Sequence, residues 1–284
     1  MSGFSTRFAP SPTGLLHQGH AFSALTAYEA AKSARGRFLL RIEDIDTTRV
    51  RPAFEAAIYE DLAWLGLEWE APVRRQSEHM ADYAAAVARL REKDLAYRCF
   101  RTRREVLDAM ASAPHGPEEV FRGAALPEAE EAALIADGKP FAWRLSLDRA
   151  REVLGSAWDH LSFIEEGAGP NGETGEIRAE PGRLGDVVLA RKDVGVAYHL
   201  AVTVDDALQG VTHVVRGNDL FEAAHIQRLL QALLGLPAPV YRHHRLLMGP
   251  DGKRLAKRNG AESLAELRGR GVTAAEVRRD LGFT

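Results

Sequence analysis

The sequence predicts an α/β fold in which a doubly wound parallel sheet is split by an α+β insertion. Strand and helix signals alternate over the first 66 residues, an irregular Ala- and Glu-rich middle follows, and the alternation resumes near residue 184. The 284 residues are 45% hydrophobic and 27% charged, which is typical of a globular protein and excludes a disordered, collagen-like or coiled-coil chain. No apolar run in the sequence approaches the roughly 18 residues that a membrane-spanning helix needs.

The first half of the predicted sheet begins at the start of the chain. Ser5–Ala9 is predicted to be a strand, Pro10–Gly14 a turn, and His17 to Ala34 a helix. The apolar run Arg37–Ile42 predicts a second strand, and an amphipathic helix follows and ends at Gly66. Four alternating elements of these lengths favour parallel strands that are joined by helices.

The middle of the chain predicts a different organisation. Met80–Asp94 has the pattern of a helix, and a second helix has Pro127 in its first turn. Trp143–Leu147 and Leu161–Ile164 are predicted strands. Residues 165–183 contain five glycines and two prolines, which predicts an exposed loop.

The alternation of the first half returns after this loop. Leu184–Arg191, Ala197–Val204 and Val211–Arg216 are predicted strands, and Leu220–Leu234 is a predicted helix. The predicted domain organisation has four parts: residues 1–80 form the first half of the sheet domain, 81–183 the insertion, 184–240 the second half, and 241–284 a basic C-terminal helical segment.

Charge is distributed unevenly along the chain. The whole sequence has 37 Lys and Arg against 40 Asp and Glu, whereas residues 242–284 carry ten basic and five acidic residues. A basic end on an acidic body indicates a polyanionic partner that binds at one place. The alternative is an ordinary solvated surface.

The segment from Arg7 to His20 carries the strongest signal for a functional site. It lies where the first strand turns into the first helix, and backbone N–H groups and the helix dipole at such a point bind phosphate. Gly14 and Gly19 allow the backbone to approach a ligand closely. His17 and His20 are three residues apart and project from one face of the first helical turn. The alternative is a proline-rich turn followed by two helix-capping histidines.

A second candidate segment, the basic run Lys253–Arg258, follows a turn over residues 249–252. A lysine on a glycine-flanked loop can reach the outer phosphates of a nucleotide and stabilise departing pyrophosphate. A solvated basic surface is the alternative for this segment when it is considered alone.

Together the two segments resemble the signature motifs of class I aminoacyl-tRNA synthetases, in particular those of the glutamyl subgroup. Ala9–His20 matches the first motif and Arg254–Arg258 the second, although Arg258 replaces the usual serine or glutamine. Four further strings occur in the family's order: residues 41–47, 185–189, 198–206 and 215–220. The resemblance therefore extends over nearly the whole chain.

The resemblance implies a Rossmann-type catalytic domain that uses ATP and Mg²⁺ to activate L-glutamate. It implies that the catalytic residues are His17, His20 and Lys257. It implies that glutamate is bound by Arg7, Phe8, Ala9, Pro10, Ser11, Glu43, Tyr198 and Arg216. It implies that ATP is bound by Gly14, His17, Gly19, His20, Arg254 and Lys257. The residue types suit these roles, because Glu43 can pair with the substrate ammonium and Arg7 and Arg216 with its carboxylates.

A zinc site is not expected. Relatives of this kind carry Cys-x-Cys followed by Tyr and Cys in the insertion, whereas this chain has Cys99-Phe100-Arg101 and no other cysteine. His115 is a poor replacement without partner ligands. We therefore interpret Cys99 as a small buried apolar residue.

Few residues follow the second motif, so we expect no helical anticodon-binding region. The chain thus resembles the short subgroup of the family, which activates glutamate and transfers it onto queuosine in the anticodon of tRNA(Asp). A cytoplasmic location is expected, because the N-terminus lacks a secretory signal pattern and the chain has one cysteine. No membrane partner is expected, and the protein is expected to be a monomer. The alternatives are a truncated enzyme that charges a tRNA 3′ end, a catalytically idle tRNA-binding relative and, more distantly, an adenylyl-transferring ligase without tRNA.

Overall fold

A computed structural model describes residues 3–111, 120–191, 195–249, 255 and 262–283. The strands are β1 (Ser5–Phe8), β2 (Arg37–Ile42), β3 (Glu70–Arg75), β4 (Ala96–Cys99), β5 (Ala142–Leu145), β6 (Ser162–Glu165), β7 (Gly175–Arg178), β8 (Val188–Arg191), β9 (His213–Gly217) and β10 (Val240–His244). The α-helices are α1 (Gln18–Ser33), α2 (Pro52–Trp64), α3 (Met80–Glu92), α4 (Arg103–Ala111), α5 (Glu128–Ala136), α6 (Leu147–Leu154), α7 (Tyr198–Leu208), α8 (Phe221–Leu234), α9 (Leu264–Gly269) and α10 (Ala274–Asp280). None of the helices within these ranges is long and apolar enough to cross a membrane.

The central sheet is formed by the two halves of the chain. β1, β2 and β3 are parallel neighbours, and β10 pairs in parallel with both β9 and β6, while β7 is antiparallel to β6. The halves meet where β1 lies beside β9, because the N–H of Thr212 donates to the carbonyl of Ser5 over 2.9 Å. The prediction of a doubly wound, mainly parallel sheet is confirmed.

Helices cover both faces of this sheet and form two apolar clusters. One cluster contains buried residues of α1, α2, α9 and α10, and the other contains buried residues of α3, α7 and α8. Helix α1 contacts the sheet through a row of small residues, Ala21, Ala24, Ala27 and Ala31, all of which are buried. Small side chains at helical spacing let this helix pack close to β1 and β2.

The insertion has a sheet of its own, in the antiparallel order β4-β5-β8. Asp186 joins its parts, because its carboxylate accepts hydrogen bonds from the Tyr97 hydroxyl (2.8 Å) and from the N–H groups of Gly123 (2.8 Å) and Leu147 (3.1 Å). Within the predicted Gly185–Leu189 motif, Asp186 therefore holds the insertion together.

Strand pairing does not follow the predicted domain boundaries. β6 and β7 lie in the predicted insertion (81–183), yet β6 pairs with β10, which falls in the predicted C-terminal segment (241–284) apart from its first residue. β8 lies in the predicted second half (184–240) but pairs with β5 of the insertion. The boundaries themselves stay a prediction.

Two local predictions were wrong. Ala197–Val204 was predicted as a strand, but α7 spans Tyr198–Leu208 and buries every residue from Leu200 to Asp206. A run that is buried on all sides lacks the periodicity that distinguishes a helix from a strand. The predicted loop of residues 165–183 contains β7 and a 3₁₀ turn over Pro181–Leu184.

Candidate active site

A cleft of about 500 Å³ opens beside the ends of β1, β2 and β9 and the N-terminus of α1. Ligands of doubly wound folds bind at such strand ends. The cleft brings together most of the predicted site residues: Arg7, Phe8, Ala9, Pro10, Ser11, His17, Gly19, His20, Glu43, Tyr198 and Arg216. Gly14 lies in the same loop as Thr13 but outside this lining.

Three predicted residues of the second motif, Arg254, Lys257 and Arg258, lie outside the described residues. Leu255 is described, lines the cleft, and donates its N–H to the carbonyl of Leu247 over 3.0 Å. On the other side of the motif, Ser263 forms an isolated bridge with His17, and Leu264 donates its N–H to the carbonyl of Leu16 over 2.9 Å. Leu255 within the motif and Ser263 after it are therefore both joined to segments that line the cleft.

His17 and His20 form a capping box at the start of α1. The Nδ1 of His17 accepts from the N–H of Gly19 (3.0 Å), and the N–H of His17 donates to Nδ1 of His20 (3.2 Å). A neutral imidazole whose Nδ1 accepts carries its proton on Nε2, so both rings hold Nε2–H donors. Gly19 fits closely, since a Cβ there would lie 2.9 Å from Cε1 of His17.

This arrangement modifies the expectation for phosphate binding. The N–H of Gly19 is occupied by the His17 ring, and those of His20 and Ala21 are hydrogen bonded to the carbonyl of His17. Three backbone N–H groups of the first turn therefore have partners within the protein, and the helix dipole remains as an attraction for a phosphate at this end of α1. The capping role, considered above as the alternative, coexists with the predicted site.

Arg7 meets a carboxylate, but the carboxylate belongs to the protein. Its Nε and Nη2 donate to Asp206 over 2.9 and 3.3 Å, and Arg41 donates to the same carboxylate over 2.7 Å. Both arginines and Asp206 are buried. The positive charge of Arg7 is thus largely compensated before any substrate binds.

Glu43 lies at the end of β2, where Nη2 of Arg41 donates to its carboxylate over 3.2 Å. Burial raises the pKa of Glu43, and the positive charges of Arg41 and Arg7 offset part of that rise. A substrate ammonium placed beside Glu43 would favour the ionised carboxylate further. The geometry therefore suits the predicted pairing with an amine.

Arg216 is buried, with 5% of its surface exposed, and its hydrogen-bond partners among the described residues are uncharged. Its Nε donates to Nε2 of His243, its Nη1 to the side-chain carbonyl of Gln227, and its Nη2 to the carbonyl of Leu220, each over 3.0 Å. Among the described residues no Asp or Glu forms an ion pair with it. A buried cation without a counter-charge is costly, so this position favours an anionic ligand.

Some residues of the cleft were not predicted. Phe22, Ser23, Asp219, His244, Arg245, Leu246 and Leu247 also line it. The signal for Asp206 was present, because it ends one of the matched strings, but its role depends on contacts with Arg7 and Arg41 that sequence spacing does not reveal.

A larger cavity of about 830 Å³ lies in the insertion and contains no predicted site residue. Its charged residues are mixed, and Arg98 there pairs closely with Glu131. The smaller cleft, with a buried cation that lacks a carboxylate partner among the described residues, is therefore the better candidate for the active site.

Cys99 is buried, with 6% of its surface exposed, in a small apolar cluster with Tyr97, Val106 and Phe121. This is the environment predicted for it. Within the described ranges no three His, Cys, Asp or Glu side chains are placed to hold a metal ion. His115 lies outside those ranges, so the absence of zinc stays a prediction.

The fold and the cleft define a class I synthetase catalytic domain. Residues 4–281 match the family described as tRNA synthetases class I (E and Q), catalytic domain. The chain belongs to this family of ligases, and the resemblance inferred from its motifs is confirmed.

Within this family, the chain is similar to several individual proteins. The chain is 46% identical to a glutamyl-Q tRNA(Asp) synthetase of Rhodobacter capsulatus, over 98% of this chain and 99% of the relative. It is 44% identical to the protein of the same name from Nocardia farcinica, over 97% of this chain and 82% of that protein. Among solved structures it is similar to a glutamate tRNA ligase from Elizabethkingia meningosepticum in complex with its amino acid. That likeness has a TM-score of 0.73 and 31% identity, and covers 91% of this chain and 52% of the other.

Proposed function

We propose that this protein activates L-glutamate with ATP and transfers the glutamyl group onto queuosine in the anticodon of tRNA(Asp). The observation that carries the amino-acid assignment is Arg216, a buried cation with uncharged partners in the same cleft as the carboxylate of Glu43. A cation for the side-chain carboxylate and an anion for the ammonium are the two charges that a glutamate pocket needs.

The proposed reaction has two steps. A carboxylate oxygen of glutamate attacks the α-phosphorus of ATP, and the bond to pyrophosphate breaks. A ring hydroxyl of queuosine then attacks the activated carbonyl, and AMP leaves with the bonding pair while the hydroxyl proton is released. The Nε2–H groups of His17 and His20, at the start of α1, suit hydrogen bonds to the phosphates.

Lys257 and Arg254 are proposed to contact the same phosphates from the second motif. Mg²⁺ generally reaches such sites on substrate phosphates rather than in a dedicated protein cage, and it would neutralise charge on departing pyrophosphate.

Two observations support the anticodon as acceptor. The chain spans 99% of the Rhodobacter relative, whose name specifies that acceptor, but 52% of the glutamate tRNA ligase structure. The basic segment of residues 242–284 can contact phosphates without reading sequence. A base that carries a cis-diol resembles the ribose of a terminal adenosine, so the ancestral chemistry needs little change. We further propose a cytoplasmic monomer.

ATP–pyrophosphate exchange tests the first step and should depend on glutamate but not on tRNA. For the second step, an anticodon stem-loop of tRNA(Asp) with queuosine should accept glutamate, while the same stem-loop with guanine should not. Periodate oxidation of a full tRNA distinguishes its 3′ end as acceptor. Charging of tRNA(Glu) at that end would favour a 3′-charging enzyme, and absence of exchange would favour an idle tRNA-binding relative.

A further inference from the structure

A buried chain of three side chains, Glu165, His243 and Arg216, extends from the cleft into the protein. Nε of Arg216 donates to Nε2 of His243 over 3.0 Å, and Nδ1 of His243 lies 2.5 Å from Oε2 of Glu165. Glu165 and His243 are 1% and 2% exposed. Glu165 ends β6 and His243 lies in β10, so two neighbouring strands support an arginine at the end of β9.

The chain of hydrogen bonds determines the protonation of His243. A guanidinium only donates, so Nε2 of His243 must accept from it, and Nδ1 must then carry the proton that is donated to Glu165. Burial lowers the pKa of His243 and the charge of Arg216 adds to this effect, although Glu165 opposes it. The imidazole is therefore neutral, in the Nδ1–H form.

The carboxylate of Glu165 is held by backbone hydrogen bonds as well as by the His243 ring. Its Oε1 accepts the N–H groups of His243 and Gly167, each over 2.8 Å. Burial alone would raise the pKa of Glu165, but these hydrogen bonds and that from the His243 ring outweigh burial and lower it. A side chain at residue 167 would not fit, because its Cβ would lie 2.1 Å from the carbonyl oxygen of His243.

The charge of Arg216 is compensated less than that of Arg7, because an imidazole separates Arg216 from the carboxylate of Glu165. Asp206 touches Arg7 directly and neutralises it, whereas His243 holds Arg216 through a neutral acceptor and separates it from the carboxylate behind. Coulomb attraction weakens with distance, so Arg216 keeps more of its charge for a ligand. Three of its five N–H bonds are used within the described part of the chain, which leaves two for a carboxylate.

We propose that Glu165 and His243 are positioning residues that orient Arg216 toward the side-chain carboxylate of the substrate and preserve its charge. This inference rests on the proposed function, since that function makes glutamate the ligand of Arg216. It gives the start of the glycine-rich segment at residues 165–183 a role in substrate selection.

The sharpest test is Glu165→Gln. The amide oxygen of glutamine can accept the two backbone N–H groups, but its NH₂ then faces Nδ1 of His243. That nitrogen would have to accept, so the ring proton would move to Nε2 and oppose the N–H of Arg216. We expect the KM for glutamate to rise at least about tenfold, with the KM for ATP changed less than about twofold. Discrimination between glutamate and glutamine should fall.

Glu166→Gln is the matched control. Glu166 is the next residue, exposed, and pairs with half-buried Arg242 over 3.1 Å. Both KM values should be unchanged in this variant. A Glu165→Gln enzyme that folds and keeps its wild-type KM for glutamate, or that loses affinity for both substrates equally, would overturn the positioning role. Absence of glutamate-dependent exchange in the wild type would instead overturn the proposed function.

A second measurement needs no substrate and no folded variant of Glu165. In the wild-type protein, ¹⁵N NMR of histidine side chains reports the tautomer, and the His243 signals are those lost in His243→Gln. We expect the Nδ1–H form of the neutral ring at pH 7. A protonated ring or an Nε2–H form would contradict the inference, whatever amino acid the enzyme activates.

Discussion

Arg7 and Asp206 form a bidentate ion pair in the protein interior, although 199 positions separate them in the sequence. Arg7 lies in β1 and lines the cleft, and Asp206 lies in α7, so the pair joins the two halves of the fold at the cleft. Arg41 donates to the same carboxylate over 2.7 Å. One carboxylate therefore orients two buried cations.

Asp206→Asn should destabilise the protein by about 3–5 kcal/mol at pH 7, because it leaves two buried arginines with a missing counter-charge. Burial opposes ionisation of Asp206, but Arg7 and Arg41 outweigh it and lower its pKa below the ordinary 3.8. A group with a lowered folded-state pKa stabilises above its unfolded-state pKa and loses this effect as the pH falls through the folded value.

The difference in unfolding free energy between wild type and Asp206→Asn should thus reach its maximum above about pH 5 and become smaller below pH 4. Urea unfolding over this pH range measures it. Asp108→Asn, at an exposed position of α4, should change stability by less than about 0.5 kcal/mol. If this difference in unfolding free energy instead grew toward low pH, Asp206 would not have a lowered pKa in the folded protein.

His17 is the N-cap of α1 and is also proposed to donate a hydrogen bond to the substrate phosphates. Two substitutions separate these roles. Asparagine is a good N-cap, so His17→Asn should keep stability within about 0.5 kcal/mol while exchange falls on the order of a hundredfold. His17→Ala should lose both, with a stability cost of about 0.5–2 kcal/mol. Thermal unfolding and pyrophosphate exchange measure the two effects, and wild-type exchange in His17→Asn would leave His17 with a structural role only.

Arg216→Gln should lower kcat/KM for glutamate on the order of a hundredfold, because one buried charged contact is worth about 3 kcal/mol. The loss should be much smaller for glutamine, which has no side-chain charge. Pyrophosphate exchange with each amino acid measures the ratio. Arg242→Gln, on the exposed side of β10, is the control and should behave as the wild type.

Lys257→Ala tests the second motif. Loss of one charged contact to the departing pyrophosphate should slow exchange on the order of a hundredfold, equivalent to about 3 kcal/mol. The binding of glutamate, measured separately by calorimetry, should change little. An unchanged exchange rate would remove Lys257 from the mechanism.

Cys99 should be a packing residue with no metal. Cys99→Ala should cost about 1 kcal/mol of stability by leaving a small cavity, and exchange activity should be unchanged. Elemental analysis of the purified protein should find no stoichiometric zinc, and a chelator that spares Mg²⁺ should leave the melting temperature as it was. About one zinc per chain would show that other ligands have replaced the cysteines.

Local patterns predicted much of the fold. β2 was predicted over Arg37–Ile42 and occupies those residues, because a short apolar run between a Gly stop and an acidic pair has few other interpretations. The same rule failed at α7, where burial on all sides removes the helical periodicity. β10 was not predicted, since only its first two residues, Val240 and Tyr241, are apolar and three polar residues follow them. Its partners β9 and β6 also lie elsewhere in the sequence.

For the candidate site, the sequence predicted the residues that line the cleft but not the residues that support them. Arg7, Glu43 and Arg216 were found through the resemblance, and the cleft brings them together. Asp206, His243 and Glu165 contribute by contacting those residues rather than by matching a motif with a known role. Such contacts depend on the pairing of distant strands, which no spacing in the sequence specifies.

The position of β1 beside β9 also affects how the protein is made. Ser5 contacts Thr212 across 207 positions of sequence, so β1 leaves the ribosome long before this neighbour is synthesised. At about 5–20 residues per second the wait is on the order of ten seconds or more. During that time one edge of a nascent strand is open to pairing with other chains. Nascent chains shorter than about 210 residues should therefore depend on chaperones to stay monomeric.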